Sequence, residues 1–217
     1  MIRLINFILL FWIFLCLTLK AETVNVFEFT EKEFATLKVR KVRGAKGETE
    51  YSIGSNENGQ FLRAEAKGTA SGLGQEVKID LNKTPFINIT WKIEKDLKGI
   101  DEKSKKGHDY AARVFVVKKT GLTPLSNKAV NYVFSSNNSV NESWRSPYTK
   151  SSIDYVLSTT RDNINEWVTV KANVKEHFQK LHDLNVEELT GVAIMTDTDQ
   201  TKIKVVSYYQ NIYFSSE

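Results

Sequence analysis

The chain has 217 residues, with 30 Lys and Arg against 26 Asp and Glu, a formal net charge of +4 and a single cysteine. That length suits one domain with a substantial core, and so small a charge excludes a nucleic-acid binder that works by neutralising phosphates. One cysteine also excludes a disulfide-stapled scaffold, so stability rests on burial.

Residues 1–21 begin with a cation at Arg3, continue in a nearly unbroken apolar run from Phe7 to Leu17 and end on Leu19-Lys20-Ala21. A positive start, an apolar stretch of this length and a small residue at its exit spell a secretory signal, which places residues 22–217 in the periplasm or outside the cell. The run falls short of the roughly 20 apolar residues of a spanning helix, so membrane association is expected only through an uncleaved signal anchor. Cys16 follows Leu15, too large a residue for a lipid-attachment site, and it leaves with the signal.

Strand patterning dominates from Val24 to Phe214. Phe61–Ala66 and the alternation of Val77, Ile79 and Leu81 predict short strands. In Phe86–Ile93 the apolar Ile87, Ile89, Trp91 and Ile93 alternate with Asn88, Thr90 and Lys92, the period of a strand with one buried face. Lys98, Lys103, Lys105 and Lys106 are broken by Asp101 and Glu102 and read as a solvated loop. The continuously apolar runs Ala112–Val117 and Val192–Met195 predict central strands, with Ala129–Phe134 and Trp167–Ala172 as their neighbours. Ser135–Ser146 reads as a long loop and Ile153–Leu157 as another strand. One helix is predicted near residues 173–182, capped by Asn173 with Val174, Phe178 and Leu181 on one face, and a helical turn over Val186–Leu189. Many short strands, one late helix and no βαβ alternation predict an all-β fold over 22–217, an antiparallel sandwich of jelly-roll, galactose-binding-like type.

Several stretches carry a resemblance in combination. They are Trp91-Lys92, His108-Asp109-Tyr110-Ala111-Ala112-Arg113-Val114-Phe115-Val116, Ser146-Pro147-Tyr148-Thr149, Trp167, Gly191 to Asp199, and the closing Ser207-Tyr208-Tyr209-Gln210-Asn211-Ile212-Tyr213-Phe214. Together they resemble a bacterial exported family, domain of unknown function 3047. The resemblance implies an envelope location and a sandwich similar to carbohydrate-binding modules, with no established reaction. The chain departs from the family pattern at His108, where an acid is expected, and at Gln200, where Asn is expected.

Chemistry-bearing residues concentrate at a few places. Asp197 and Asp199 stand two apart at the end of a central strand and offer oxygens to a hard cation, but no third acid, Gly and Glu follow in the spacing of a calcium loop. The pair therefore reads as a polar turn, with Ca²⁺ not favoured and no cofactor expected. Arg113 lies inside an apolar strand and needs a counter-ion, for which Asp109, Asp197 and Asp199 are the candidates. His177 and His182 are five apart, off the spacing that aims two imidazoles at one zinc, and read as surface or helix-end residues. His108 in a loop reads as solvated. Trp91 and Trp167 read as core. No G-x-S-x-G elbow and no S-x-x-K pair is present, so serine hydrolase chemistry lacks support, while paired Asp residues leave a carbohydrate-active hydrolase as an alternative. Trp144 and Tyr148 flank Arg145 and Pro147 in polar surroundings, and aromatic faces beside Asn, Arg and Asp suit sugar rings. The expected function is binding of a glycan or envelope polysaccharide without catalysis, through Asp109, Arg113, Trp144, Tyr148, Asp197 and Asp199. The alternative partner is another envelope protein.

Overall fold

The computed structural model describes residues 21–123, 126–161 and 164–217, so the segment expected to be a secretory signal lies outside the described residues except for Ala21. Two mostly antiparallel sheets face each other. The first orders β11 (Val168–Asn173), β6 (Phe86–Ile93), β13 (Lys204–Ser215), β4 (Gly59–Lys67) and β3 (Glu50–Asn56), with β1 (Thr23–Phe27) pairing β13 as the sixth strand. The second has seven strands, in the order β2 (Val39–Lys41), β5 (Ala70–Asp80), β12 (Glu188–Asp197), β7 (Tyr110–Lys118), β8 (Lys128–Ser135), β10 (Ser152–Thr159) and β9 (Ser143–Arg145). This is the predicted jelly-roll sandwich. The pairing of β8 with β10 is parallel, an exception that the sequence patterning does not anticipate.

The inner faces fill with Ile87, Ile89, Trp91, Val114, Val116, Tyr132, Ile194 and Phe214, all 0–1% exposed. Trp91 ties the sheets together, its indole Nε1 donating to Ser158 Oγ at 2.9 Å from one sheet to the other. The continuously apolar strands β7 and β12 lie side by side at the centre of the seven-stranded sheet, as their sequences predict. β8 is the neighbour expected for them. β11 is not: it forms an edge of the other sheet against β6, where its half-buried alternation needs only one covered face. Trp167, just before β11, is therefore no core residue. It sits half-buried beside Phe61 and Tyr208, ring centroids 5.7 and 6.0 Å away, and Phe61 itself lies over Gly54, where a Cβ would meet its ring at 2.5 Å.

A short helix α1 (Glu31–Phe34) is capped by Thr30, and α2 (Val174–His182) is capped by Asn173, whose Oδ1 accepts from the Glu176 N–H at 3.1 Å. The predicted helical turn over Val186–Leu189 is absent because β12 already starts at Glu188 and pairs with Asp80 there. No described helix is long and apolar enough to cross a membrane.

His177 on α2 is half-buried, its ring 4.2 Å from that of Tyr155 and its Nδ1 3.0 Å from the Tyr132 hydroxyl. Burial pulls its pKa down from 6.5 to about 4, with Lys180 adding to the fall. The folded ring stays neutral where the unfolded ring takes a proton, so stability is complete above the unfolded value and falls as pH drops from 6.5 towards 4. Solvent screening of a half-buried ring limits the loss to about 1–2 kcal/mol. Urea unfolding at pH 7 and pH 4.5 is expected to show that loss in the native chain and a smaller one in His177→Gln.

Candidate functional site

The outward face of the seven-stranded sheet carries the site. Two adjacent rows of side chains cross it. One runs Arg40, Gly72, Met195, Arg113, Val133 and Val156; the other runs Gly74, Ala193, Phe115, Asn131, Asp154 and Trp144. At the ladder spacing each row spans roughly 24 Å. The two halves of this face differ. Towards β8, β10 and β9 it is roofed by the loops 98–109 and 136–150, which Gly99 N to Asn137 Oδ1 (2.7 Å), Lys103 to Glu142 (3.1 Å) and the Tyr148 hydroxyl to Lys105 O (2.9 Å) tie to each other. Towards β2, β5 and β12 it is bare.

Under the roof lies the expected polar cluster. Arg113 Nη2 donates to Asp197 Oδ2 at 2.5 Å, so of the three candidate counter-ions Asp197 makes the direct pair. Asp109, Asp197 and Asp199 place carboxylate oxygens within 4.8 Å of one another. Their oxygens are engaged by the protein. Asp109 accepts from Gln200 N at 3.2 Å and Thr201 N at 2.6 Å, Asp197 accepts from Tyr110 N at 3.4 Å as well as from Arg113, and Asp199 accepts from Gln200 Nε2 at 2.8 Å. Burial pushes the Asp197 carboxyl up to about 8 against the pull of Arg113, with Asp109 and Asp199 adding to the rise. Burial works to lower the Arg113 guanidinium, yet the surrounding carboxylates, Asp197 first, hold it above its ordinary value. Arg113 stays charged, paired directly with Asp197 and within the field of Asp154 and Asp109. A calcium ion wants six to eight oxygens, more than these three carboxyl groups supply by themselves. The cluster staples the turn after β12 to the start of β7. Nor does it offer room for a sugar between two catalytic carboxylates, because Asp109 and Asp197 are buried.

His108 differs most from its expected solvated state. It is 7% exposed, and its Nε2 lies 2.7 Å from Asp154 Oδ2. Asp154, fully buried, also accepts from Asn131 Nδ2 at 2.6 Å and from the Tyr110 hydroxyl at 3.3 Å. The His108 ring supports Tyr148 edge to face at 5.4 Å, and Tyr148 is 54% exposed. Trp144 is half-buried, packed against Tyr110, Val133 and Val156 with the Lys103 ammonium 4.9 Å above its ring. The structure thus brings Asp109, Arg113, Asp197 and Asp199 together, sets Tyr148 over the neighbouring His108–Asp154 pair, and leaves Trp144 holding a loop to the sheet.

The bare half holds a trough of about 730 Å³, floored by Gly74, Gly191 and Ala193 and walled by Arg40, Lys78, Lys119 and Asn127. Small residues on three neighbouring strand positions create it: a Cβ on Gly74 would lie 3.2 Å from that of Ala193 and 3.7 Å from Arg40 Nε. Val117 lines the trough and Arg113 belongs to the cluster, both on β7 and roughly 13 Å apart along it.

The fold is a jelly-roll β-sandwich of the kind that carbohydrate-binding modules share. The chain belongs to the family described as protein of unknown function DUF3047, whose model matches residues 35–213. Among solved structures, the family 30 carbohydrate-binding module of a Clostridium thermocellum cellulosomal cellulase has a TM-score of 0.51 at 10% identity, over 90% of this chain and 98% of that one. A cellulase derived from Rhodothermus marinus Cel12A has a TM-score of 0.48 at 9% identity, covering 90% and 100%. Lectin I-B4 of Griffonia simplicifolia has a TM-score of 0.33 at 12% identity, covering 90% and 98%. The last two are too distant to carry an argument, and the first speaks for the fold alone. Comparison with the curated proteins gives no match.

Proposed function

We propose that this is an exported, non-catalytic protein that binds a glycan of the bacterial envelope or its surroundings along the outward face of the seven-stranded sheet. The trough carries the reading: an extended groove on a rigid sheet, lined by strand residues and open to solvent at one side. Tyr148 stands exposed on the roofed half of the same face and offers a ring to a sugar, with Asp109, Arg113, Asp197 and Asp199 fixing the sheet end beneath it and Trp144 fixing the loop. The family 30 module, named as carbohydrate-binding, supports a glycan as the class of ligand through its shared fold.

Ala193→Tyr tests the placement, because a tyrosine there would lie across Gly74 as Phe61 lies across Gly54 on the other sheet. On a broad glycan array the native protein is expected to bind selectively. Ala193→Tyr is expected to weaken that binding more than about tenfold while moving the urea midpoint by under about 1 kcal/mol of stability. Selective binding untouched by the tyrosine would refute the trough, and a blank array with folded protein would refute the glycan reading.

A further inference from the structure

We infer that the glycan this trough takes is acidic, a polysaccharide carrying carboxylates on its sugars; the inference rests on the glycan-binding reading above. Arg40, Lys78 and Lys119 line the trough against one acid, Glu76, and all four are exposed. None of the three cations belongs to an ion pair among the described residues, whereas Lys41, Lys103 and Lys204 elsewhere on the surface do. Arg40 reaches over the floor at Gly74, and Lys78 follows four residues further along β5, roughly 13 Å away. Cations of both ends of the trough therefore face one extended ligand.

A neutral polymer laid in this groove would strip water from these cations and return only hydroxyl contacts, whereas carboxylates return charge-assisted hydrogen bonds and match the guanidinium fork of Arg40. Asn127 adds a second signal. Its side-chain amide lines the trough wall, a group suited to accept from a sugar hydroxyl. A polymer with both carboxylates and hydroxyls answers the cations and this acceptor together. An anionic membrane is the poorer fit, since lipid-binding surfaces gather about 4–8 cations in one cluster and this groove spreads three along a small-residue floor.

Affinity gel electrophoresis of the whole protein with polygalacturonate and with the same polymer methyl-esterified separates charge from backbone. The free acid is expected to retard the protein with about tenfold higher affinity than the ester, the preference falling as NaCl rises. Arg40→Gln/Lys119→Gln is expected to abolish the preference with an unchanged urea midpoint. Equal retardation by acid and ester would overturn the inference and leave the glycan reading standing. Retardation by neither, nor by any neutral glucan or xylan, would overturn both. Equal binding to polyglutamate, or a preference that survives in the double variant, would also overturn the inference, the first by removing the role of the sugar and the second by removing that of the trough.

Discussion

Arg113→Met is expected to cost the protein about 3–5 kcal/mol, the range for removing one member of a buried ion pair. Arg113 is 4% exposed, and its guanidinium donates to Asp197 at 2.5 Å and lies 5.2 and 5.4 Å from the rings of Tyr110 and Phe115. Methionine keeps much of the volume and the ring contacts but takes from Asp197 its ion-pair partner. The pair rather than the charge is what the site needs, so Arg113→Met/Asp197→Leu is expected to regain most of the loss. Urea unfolding followed by tryptophan fluorescence measures both. A single variant within about 1 kcal/mol of the native chain would show that the cluster is solvated in solution.

Asp154→Leu is expected to have an effect of similar size, about 3–5 kcal/mol, by a different route. The carboxylate is fully buried and serves three groups, His108, Asn131 and the Tyr110 hydroxyl. Leucine strands His108 and Asn131 and leaves the Tyr110 hydroxyl only its 3.5 Å bond to Glu102 O, and each buried polar group left without a partner costs about 1–3 kcal/mol, less than additively in one network. Asp154→Asn keeps an acceptor and is expected to cost about 1–2 kcal/mol. Because His108 supports Tyr148, the leucine variant is also expected to raise protease sensitivity in the loop 136–150. Limited proteolysis with unfolding checks the two effects together, and a variant that unfolds normally with an intact loop would contradict the supporting role of the network.

Most strands were legible because a half-covered strand writes its buried face at period two and a doubly covered one loses its alternation, as in β6 against β7 and β12. What periodicity leaves open is which sheet a strand joins. Trp167–Ala172 has one apolar face, and that face suits an edge of either sheet equally. Val186 is apolar and near a helix, but its burial comes from the core and not from a helical turn. In the site, Arg113 and its acids were legible from the cost of a lone buried charge. His108 was not, since its partner Asp154 is 46 residues away and strand pairing alone brings them together. The trough also has a mark in the sequence: Gly191 and Ala193 are small residues two apart, which on a strand means one bare face, and Gly74 on β5 pairs with Ala193. Glycine in a sequence reads first as a turn, and only the pairing of β5 with β12 turns Gly74, Gly191 and Ala193 into a floor.

The most direct test of the binding face is an NMR titration of the protein with an oligosaccharide that the array selects. Amide shifts are expected to concentrate at Gly74, Gly191, Ala193 and Val117 and to extend to Tyr148. Shifts confined to the opposite sheet, around Phe61, Trp167 and Tyr208, would contradict that binding face and move the ligand to the other side of the sandwich.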